Sequence, residues 1–287
     1  MIFKKVKYDF VQKYDPDFQD KFVSHYMIEN KITEKFKKDQ ITLDLTKETR
    51  LLEKYILDTL FKKKLISRRD IQLNQVHKYI SSDSSREKSS NDVTRNNLTA
   101  AFFNKDKKFF EIYNLILKKV KKKLKFKFLF QKDPFIRFNF PTKNHFDTLL
   151  PHVDLAIGHP PGEINLWTPL TDVTKNNSMA VSNLKKSMEF FGGYSFDFNK
   201  YVKKYNSDIW KQALKILKPY IAKKGKTIIF DSRVMHKSIL NNSTKTRVSL
   251  DYRILPIEFE KIAKLYRGTG YKQQKFSKGN YYSSKVI

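Results

Sequence analysis

KLKFKFLF (residues 123–130) is where this chain changes its period. Leu124, Phe126, Phe128 and Phe130 alternate with Lys123, Lys125 and Lys127. Alternation with period two marks a half-exposed strand, because successive side chains point to opposite faces. FIRFNFP (135–141) alternates again, and EINLWTPL, KTIIFDS and TRVSLDYRIL are further strands. Short strands joined by turns such as HPPGE and TKNNS predict a jelly roll of the cupin type.

Upstream of residue 123 the period is helical, and the first 120 residues are read mainly as helix. In ETRLLEKYILDTLFKKK, Leu52, Tyr55, Ile56, Thr59 and Leu60 share a face. Ser67 to Asp70 has the form of a capping box opening a helix over IQLNQVHKYI. Residues 81–97 are polar and aperiodic, and read as a surface loop. Phe109, Ile112, Tyr113, Ile116 and Val120 line a helix ending near Lys121. The expected organisation is therefore α+β: a mainly helical region over 1–122, packed on a β core over 123–287. A helical insertion at about 197–222, carried by Ile209, Ala213, Ile216 and Leu217, interrupts that core, and a tail follows it.

Composition narrows the chemistry. There is no cysteine, which excludes disulfides, zinc–thiolate sites, iron–sulfur clusters and cysteine nucleophiles. No stretch approaches the roughly 20 apolar residues of a membrane span, and MIFKKVKYDFVQKYD has no apolar run of signal-peptide length. A soluble, cytoplasmic protein is expected. Lysine and arginine number 58 against 29 acids, a net charge of +29. Such an excess attracts nucleic acid, anionic lipid or acidic small molecules. The lysines run along the whole chain, however, and no zinc finger, helix-turn-helix or Arg-Gly tail accompanies them.

Two segments carry chemistry. In HVD, His152 and Asp154 fall on one side of an extended chain and can grip one metal. His236, just beyond the apolar TIIF, can complete a two-histidine, one-carboxylate face, the ligand set of non-haem Fe(II) with open positions. HxD alone is a weak signal. A surface histidine beside an aspartate is the plain alternative, and His159 in a Gly/Pro turn is the rival ligand.

Eleven residues past His236 comes Arg247. In TRVSLDYRI, Arg247, Ser249, Asp251 and Arg253 face one way, against Thr246, Val248, Leu250, Tyr252 and Ile254. A charged stripe is usually solvated. Turned inward, it would let Arg247 and Ser249 hold the distal carboxylate of a 2-oxoglutarate cosubstrate, with Ser238 a second hydroxyl within reach. Asp251 would then need Arg253 or Arg137 beside it, since a buried unpaired charge is costly. Asn165 and Trp167 share a strand face, as do Arg137 and Asn139. An interior asparagine needs its amide satisfied, which favours a polar cavity contacting cosubstrate or substrate.

Taken in order, LFQKDPFIRFNFP, HVDLAIGHPPGEINLWTPLTDVTKNNS, GKTIIFDSRVMHKSILNNSTKTRVSLDYRILP and the late KFSKGNYY resemble the phytanoyl-CoA-dioxygenase-like Fe(II)/2-oxoglutarate oxygenases. Within that family the likeness is greatest to the streptomycin-biosynthesis-type dioxygenases. It runs from about Leu124 to the C-terminus. The resemblance implies a double-stranded β-helix, iron held by His152, Asp154 and His236, and 2-oxoglutarate held by Arg247. It also implies oxidation of a small polar metabolite by O2. Because Asp154 is a carboxylate where related halogenases leave room for halide, hydroxylation is the implied outcome, with desaturation or ring closure as variants. Two other functions compete: an oxygenase acting on nucleic acid, and a non-catalytic jelly-roll binding module.

Overall fold

The computed structural model describes residues 40–81, 96–141, 151–194, 207–266 and 274–287. His25, His145, residues 1–39, most of the polar 81–97 stretch and the start of the 197–222 stretch lie outside them.

Among the described residues nine strands build two antiparallel sheets. The strands are β1 (Ile41–Asp44), β2 (Phe128–Phe130), β3 (Phe135–Asn139), β4 (Ile164–Pro169), β5 (Met179–Val181), β6 (Lys218–Pro219), β7 (Lys226–Asp231), β8 (His236–Ser238) and β9 (Arg247–Pro256). The larger sheet has the order β1-β7-β4-β9-β2, with β3 also on β9; the smaller is β6-β5-β8. An isolated antiparallel bridge joins His152 to His236 and so adds the HVD segment to the smaller sheet. Strands that are sequence neighbours fall repeatedly in opposite sheets, the connectivity of a double-stranded β-helix. The fold is thus α+β, a jelly roll with helices on one side.

Helices α1 (Thr46–Lys62), α2 (Asn97–Ala100) and α3 (Lys107–Leu124) cover the outer face of the larger sheet. Leu52, Tyr55, Ile56 and Leu60 of α1 and Phe109, Tyr113, Ile116 and Val120 of α3 are buried against Val248, Leu250, Tyr252 and Ile254 of β9. Each aliphatic or aromatic side chain fully buried here contributes about 1.5–3 kcal/mol. Gly225 seats α1 on the sheet: its φ is +83°, and a Cβ there would lie 2.6 Å from Thr46 Cα. Asp44 caps the same junction, accepting from Thr46 N at 2.9 Å.

The period change sits later than the alternation implies. Helix α3 continues through Leu124 and stops where Lys125 takes a left-handed φ of 63°, donating its N–H to Lys121 O. Lysines 121–123 fill its last turn, where cations suit the negative end of the helix dipole. Only Phe128–Phe130 form the strand, and both of its faces are buried. Phe128 and Phe130 face the helices, whereas Leu129 enters a second core with Val153, Leu155, Met235 and Leu255.

The expected capping box does not form. Asp70 instead pairs with Arg68 at 2.6 Å on the surface. The following helix is a six-residue 3-10 turn, Leu73–Lys78, without a side-chain cap. Backbone pairing of Ile66 with Ile80 fixes this segment as a loop closed on itself.

Helix α4 (Leu184–Gly192) and helix α5 (Ser207–Ile216) follow β5. Ala213 and Leu217 are buried as their spacing predicts, whereas the side chain of Ile209 lies outside the described ones. The end of the 197–222 stretch belongs to the β core: β6 pairs with β5, and Ala222 bridges to Val173. A last short helix, α6 (Glu260–Ala263), follows β9. Among the described residues no helix is long and apolar enough to cross a membrane.

Candidate metal centre

The charged stripe of β9 points inward. Register fixes the layers of the barrel interior. Arg253 lies opposite Asn165, which lies opposite Phe230; Asp251 lies opposite both Trp167 and Phe135. Ser249 faces Arg137, and Arg247 faces Asn139. The interior therefore runs from Arg247 at one end of β9 to Arg253 at the other.

At the Arg253 end, two backbone segments clasp each other. His152 N donates to His236 O at 3.1 Å and His236 N returns the bond to His152 O at 2.9 Å. Asp154 N donates to Ser232 O at 2.9 Å. These bonds bring His152, Asp154 and His236 together although the two histidines lie 84 positions apart in the sequence. His152 Nε2 stands 3.7 Å and His236 Nε2 3.6 Å from Asp154 Oδ1. The two rings are 4.5 Å apart, and Phe230 packs edge-on against His236.

His236 and Asp154 each present a donor atom suited to a cation. His236 Nδ1 lies 3.0 Å from Val234 O, a contact that places the proton on Nδ1 and leaves the Nε2 lone pair toward Asp154. Asp154 is fully buried. Its Oδ2 accepts from Arg253 Nε at 2.9 Å and lies 2.7 Å from Arg253 Nη2. Its Oδ1 has no hydrogen-bond partner. Burial pushes the Asp154 carboxyl upward, but Arg253 and the surrounding imidazoles outweigh this and hold it well below the usual range. An ionised, buried oxygen without a hydrogen bond, facing two imidazole nitrogens, fits a first-row metal ion, whose bonds to N and O are about 2.0–2.2 Å.

His159 does not take the place of His236. Its Nδ1 is 2.6 Å from Glu163 Oε2, and Tyr282 donates to Glu163 Oε1 at 2.7 Å. Asp154, His159 and Glu163 also form a compact group. Arg253 already occupies it, however, with Nε 3.7 Å from Glu163 Oε2.

The remaining candidates line the interior in different ways. Arg247 is buried, donates to Ser178 O at 3.3 Å and lies 5.8 Å over the Trp167 ring. Ser249 directs its hydroxyl proton to Asp251 Oδ1 at 2.9 Å. Of the two cations suggested for Asp251, Arg137 is the partner, at 2.6 Å, while Arg253 serves Asp154. Asn165 is buried with neither amide atom hydrogen-bonded, and the Asn139 amide oxygen is likewise without a bond. Ser238 shares the β8 face of His236 and is half-buried. Sequence reasoning missed Glu163, Tyr281 and Tyr282. Their only sequence signals are an acid opening an apolar strand and the aromatic pair ending KFSKGNYY.

No family model matches the chain. It is 26% identical over 106 residues to the streptomycin biosynthesis protein StrG of Streptomyces griseus, a stretch that is 37% of this chain. The match spans about a third (36%) of that curated relative. Among solved structures it is similar to the non-heme alpha-ketoglutarate-dependent carbocyclase SnoK from nogalamycin biosynthesis, with TM-score 0.45 and 12% identity over 87% of this chain and 90% of that one. It is also similar to HygX of Streptomyces hygroscopicus, solved with nickel and 2-oxoglutarate bound, with TM-score 0.45 and 10% identity over 80% of this chain and 88% of that one.

Proposed function

We propose that the protein is a non-haem Fe(II)/2-oxoglutarate-dependent dioxygenase that hydroxylates a small polar metabolite. One observation carries the reading. Asp154 Oδ1 is buried, has no hydrogen bond, and faces His152 Nε2 and His236 Nε2 at 3.7 and 3.6 Å. In this reading these three side chains hold Fe(II). Iron, 2-oxoglutarate and O2 together supply the oxidation of an unreactive C–H bond, with release of succinate and CO2.

The chain's own residues bind and orient. Arg247 holds the distal carboxylate of 2-oxoglutarate, with Ser249 and Ser238 beside it. Its burial supports that role, because a guanidinium pairs more strongly with a carboxylate away from water. The unbonded amide of Asn165 and the free Oδ1 of Asn139 meet hydrogen-bonding groups of cosubstrate or substrate, and buried Trp167 packs beside them. Helices α1, α2 and α3 serve as the support on which the β core rests, while β1 joins that core through β7. The relative's role in streptomycin biosynthesis and this polar lining both support a polar metabolite.

A polyanionic substrate fits less well. Exposed lysines stand on α1, α3, α4, α5 and α6 alike, a spread that does not concentrate charge at the site. The test is succinate release from Fe(II)-loaded protein with 2-oxoglutarate, comparing polar metabolites with single-stranded and duplex nucleic acid. Metabolite-dependent release is expected. Release driven only by nucleic acid, weakening steeply with salt, would replace the substrate class. Absence of any Fe(II) binding would remove the oxygenase reading.

A further inference from the structure

The mechanism above leaves unused a buried charge cluster beside the candidate metal centre. Arg253 stands between two carboxylates, Asp154 and Glu163, both fully buried. Glu163 is held from two sides, by His159 Nδ1 at 2.6 Å and by the Tyr282 hydroxyl at 2.7 Å. Arg253 Nη1 reaches the Tyr281 hydroxyl at 3.4 Å. Phe276 closes the outside, 4.9 Å from both the His159 and Tyr281 rings. The HPPGE turn, whose His159 N donates to Asp154 O at 3.2 Å, and the C-terminal KFSKGNYY segment thus converge on one guanidinium.

That convergence is built, not incidental. Gly162 has a φ of +78°, and a Cβ there would meet the Phe259 ring at 2.5 Å. Only glycine allows the turn to deliver Glu163 at this depth. Ser232 N then donates to Glu163 O at 3.0 Å, and Ser232 O accepts from Asp154 N. The main chains of the two carboxylates are tied through one residue.

We infer that Arg253 is a positioning residue for the metal centre. It binds Asp154 Oδ2 and so presents Oδ1 alone to the ion, while Glu163, Tyr282 and Tyr281 fix the guanidinium in that orientation. This rests on the metal reading above. A planar fork with donors in fixed directions can hold one carboxylate oxygen and leave the other open; a lysine ammonium holds the charge but not the direction. Partners of this kind set ligand geometry, and losing one typically weakens metal affinity by about 10–100-fold.

The experiment titrates Fe(II) anaerobically into metal-free wild type, Arg253→Lys, Glu163→Gln and Tyr282→Phe. It also records the Co(II) ligand-field spectrum and the thermal melt of each metal-free protein. Arg253→Lys is expected to weaken Fe(II) binding about 10–100-fold and to shift the Co(II) bands. The two outer variants should do so by smaller steps in the same direction. Melts that fall while Fe(II) affinity and the Co(II) spectrum stay at wild-type values would make the cluster structural only and overturn the inference. Should Arg253→Lys fail to fold, Glu163→Gln, which keeps volume and hydrogen-bonding reach, decides by the same affinity criterion. Wild type that binds no Fe(II) overturns the metal reading itself, a result separable from equal binding by wild type and variants.

Discussion

Asp154 and Glu163 are two buried carboxylates that flank one arginine, and each has a histidine beside it. Their oxygens differ. Both oxygens of Glu163 are hydrogen-bonded, one to His159 and one to Tyr282. Asp154 has one oxygen engaged by Arg253 and one with no hydrogen bond at all. Buried polar atoms almost always find partners, because an unmet one costs about 1–3 kcal/mol and more when charged. A carboxylate with all its bonds made is an anchor, and one with a bond withheld is waiting for a cation. Both groups satisfy a simple proximity criterion for metal binding, and the hydrogen-bond account separates them.

Substitutions at the two carboxylates give the largest expected effects. Asp154→Ala should abolish Fe(II) binding and also lower stability by about 3–5 kcal/mol, because it takes a partner from a buried arginine. Glu163→Ala should cost a similar amount of stability yet retain Fe(II) binding in weakened form. His236→Ala should lose Fe(II) too, but at only about 1 kcal/mol in stability, the value of its bond to Val234 O. Chemical denaturation of the metal-free proteins and anaerobic titration check the three together. If Glu163→Ala abolished binding while Asp154→Ala did not, the assignment of anchor and ligand would be reversed.

Next in size is Arg247→Ala, at the far end of β9. A carboxylate contact through a charged group is worth about 1.5–3 kcal/mol. Apparent 2-oxoglutarate affinity should therefore fall about 10–100-fold, with Fe(II) affinity at the wild-type value. An unchanged 2-oxoglutarate titration would deny Arg247 its role. Loss of Fe(II) as well would mean that the two ends of β9 act as one unit, against the division drawn above.

How much of this was legible depends on element length. Ten-residue β9 shows four full alternations over Arg247–Ile254, so the shared face of Arg247, Ser249, Asp251 and Arg253 could be read directly, though not that it turns inward. Strands β5, β6 and β8 have three, two and three residues, too few to show any period, and only pairing defines them. The meeting of His152 with His236 was reachable because the proposed ligand set requires it. Arg253 and Glu163 were not: the arginine could be placed on a face, but its choice of Asp154 over Asp251 depends on strand register and on a Gly162 turn that a string of letters does not fold. The same limit explains the failed capping box, where Arg68, only two residues away, captured the carboxylate of Asp70.

The smallest expected effect is also the one that tests the rival ligand. His159 sits 13% exposed at its side chain, with Nδ1 on Glu163 and its ring against Phe276 and Tyr281. A glutamine at this position can still donate an N–H to Glu163 and keeps much of the volume, but gives up the ring contacts. His159→Gln should therefore lower stability by about 1 kcal/mol. Fe(II) affinity should stay within about threefold of wild type, a change under 1 kcal/mol. If His159 were itself a ligand, the same substitution would remove a metal–nitrogen bond, and the affinity would collapse as it does in His236→Ala. Titrating the two variants side by side therefore sets His159 against His236 directly. A collapse in the first would return Glu163 and His159 to the metal's own coordination and dissolve the distinction between anchor and ligand.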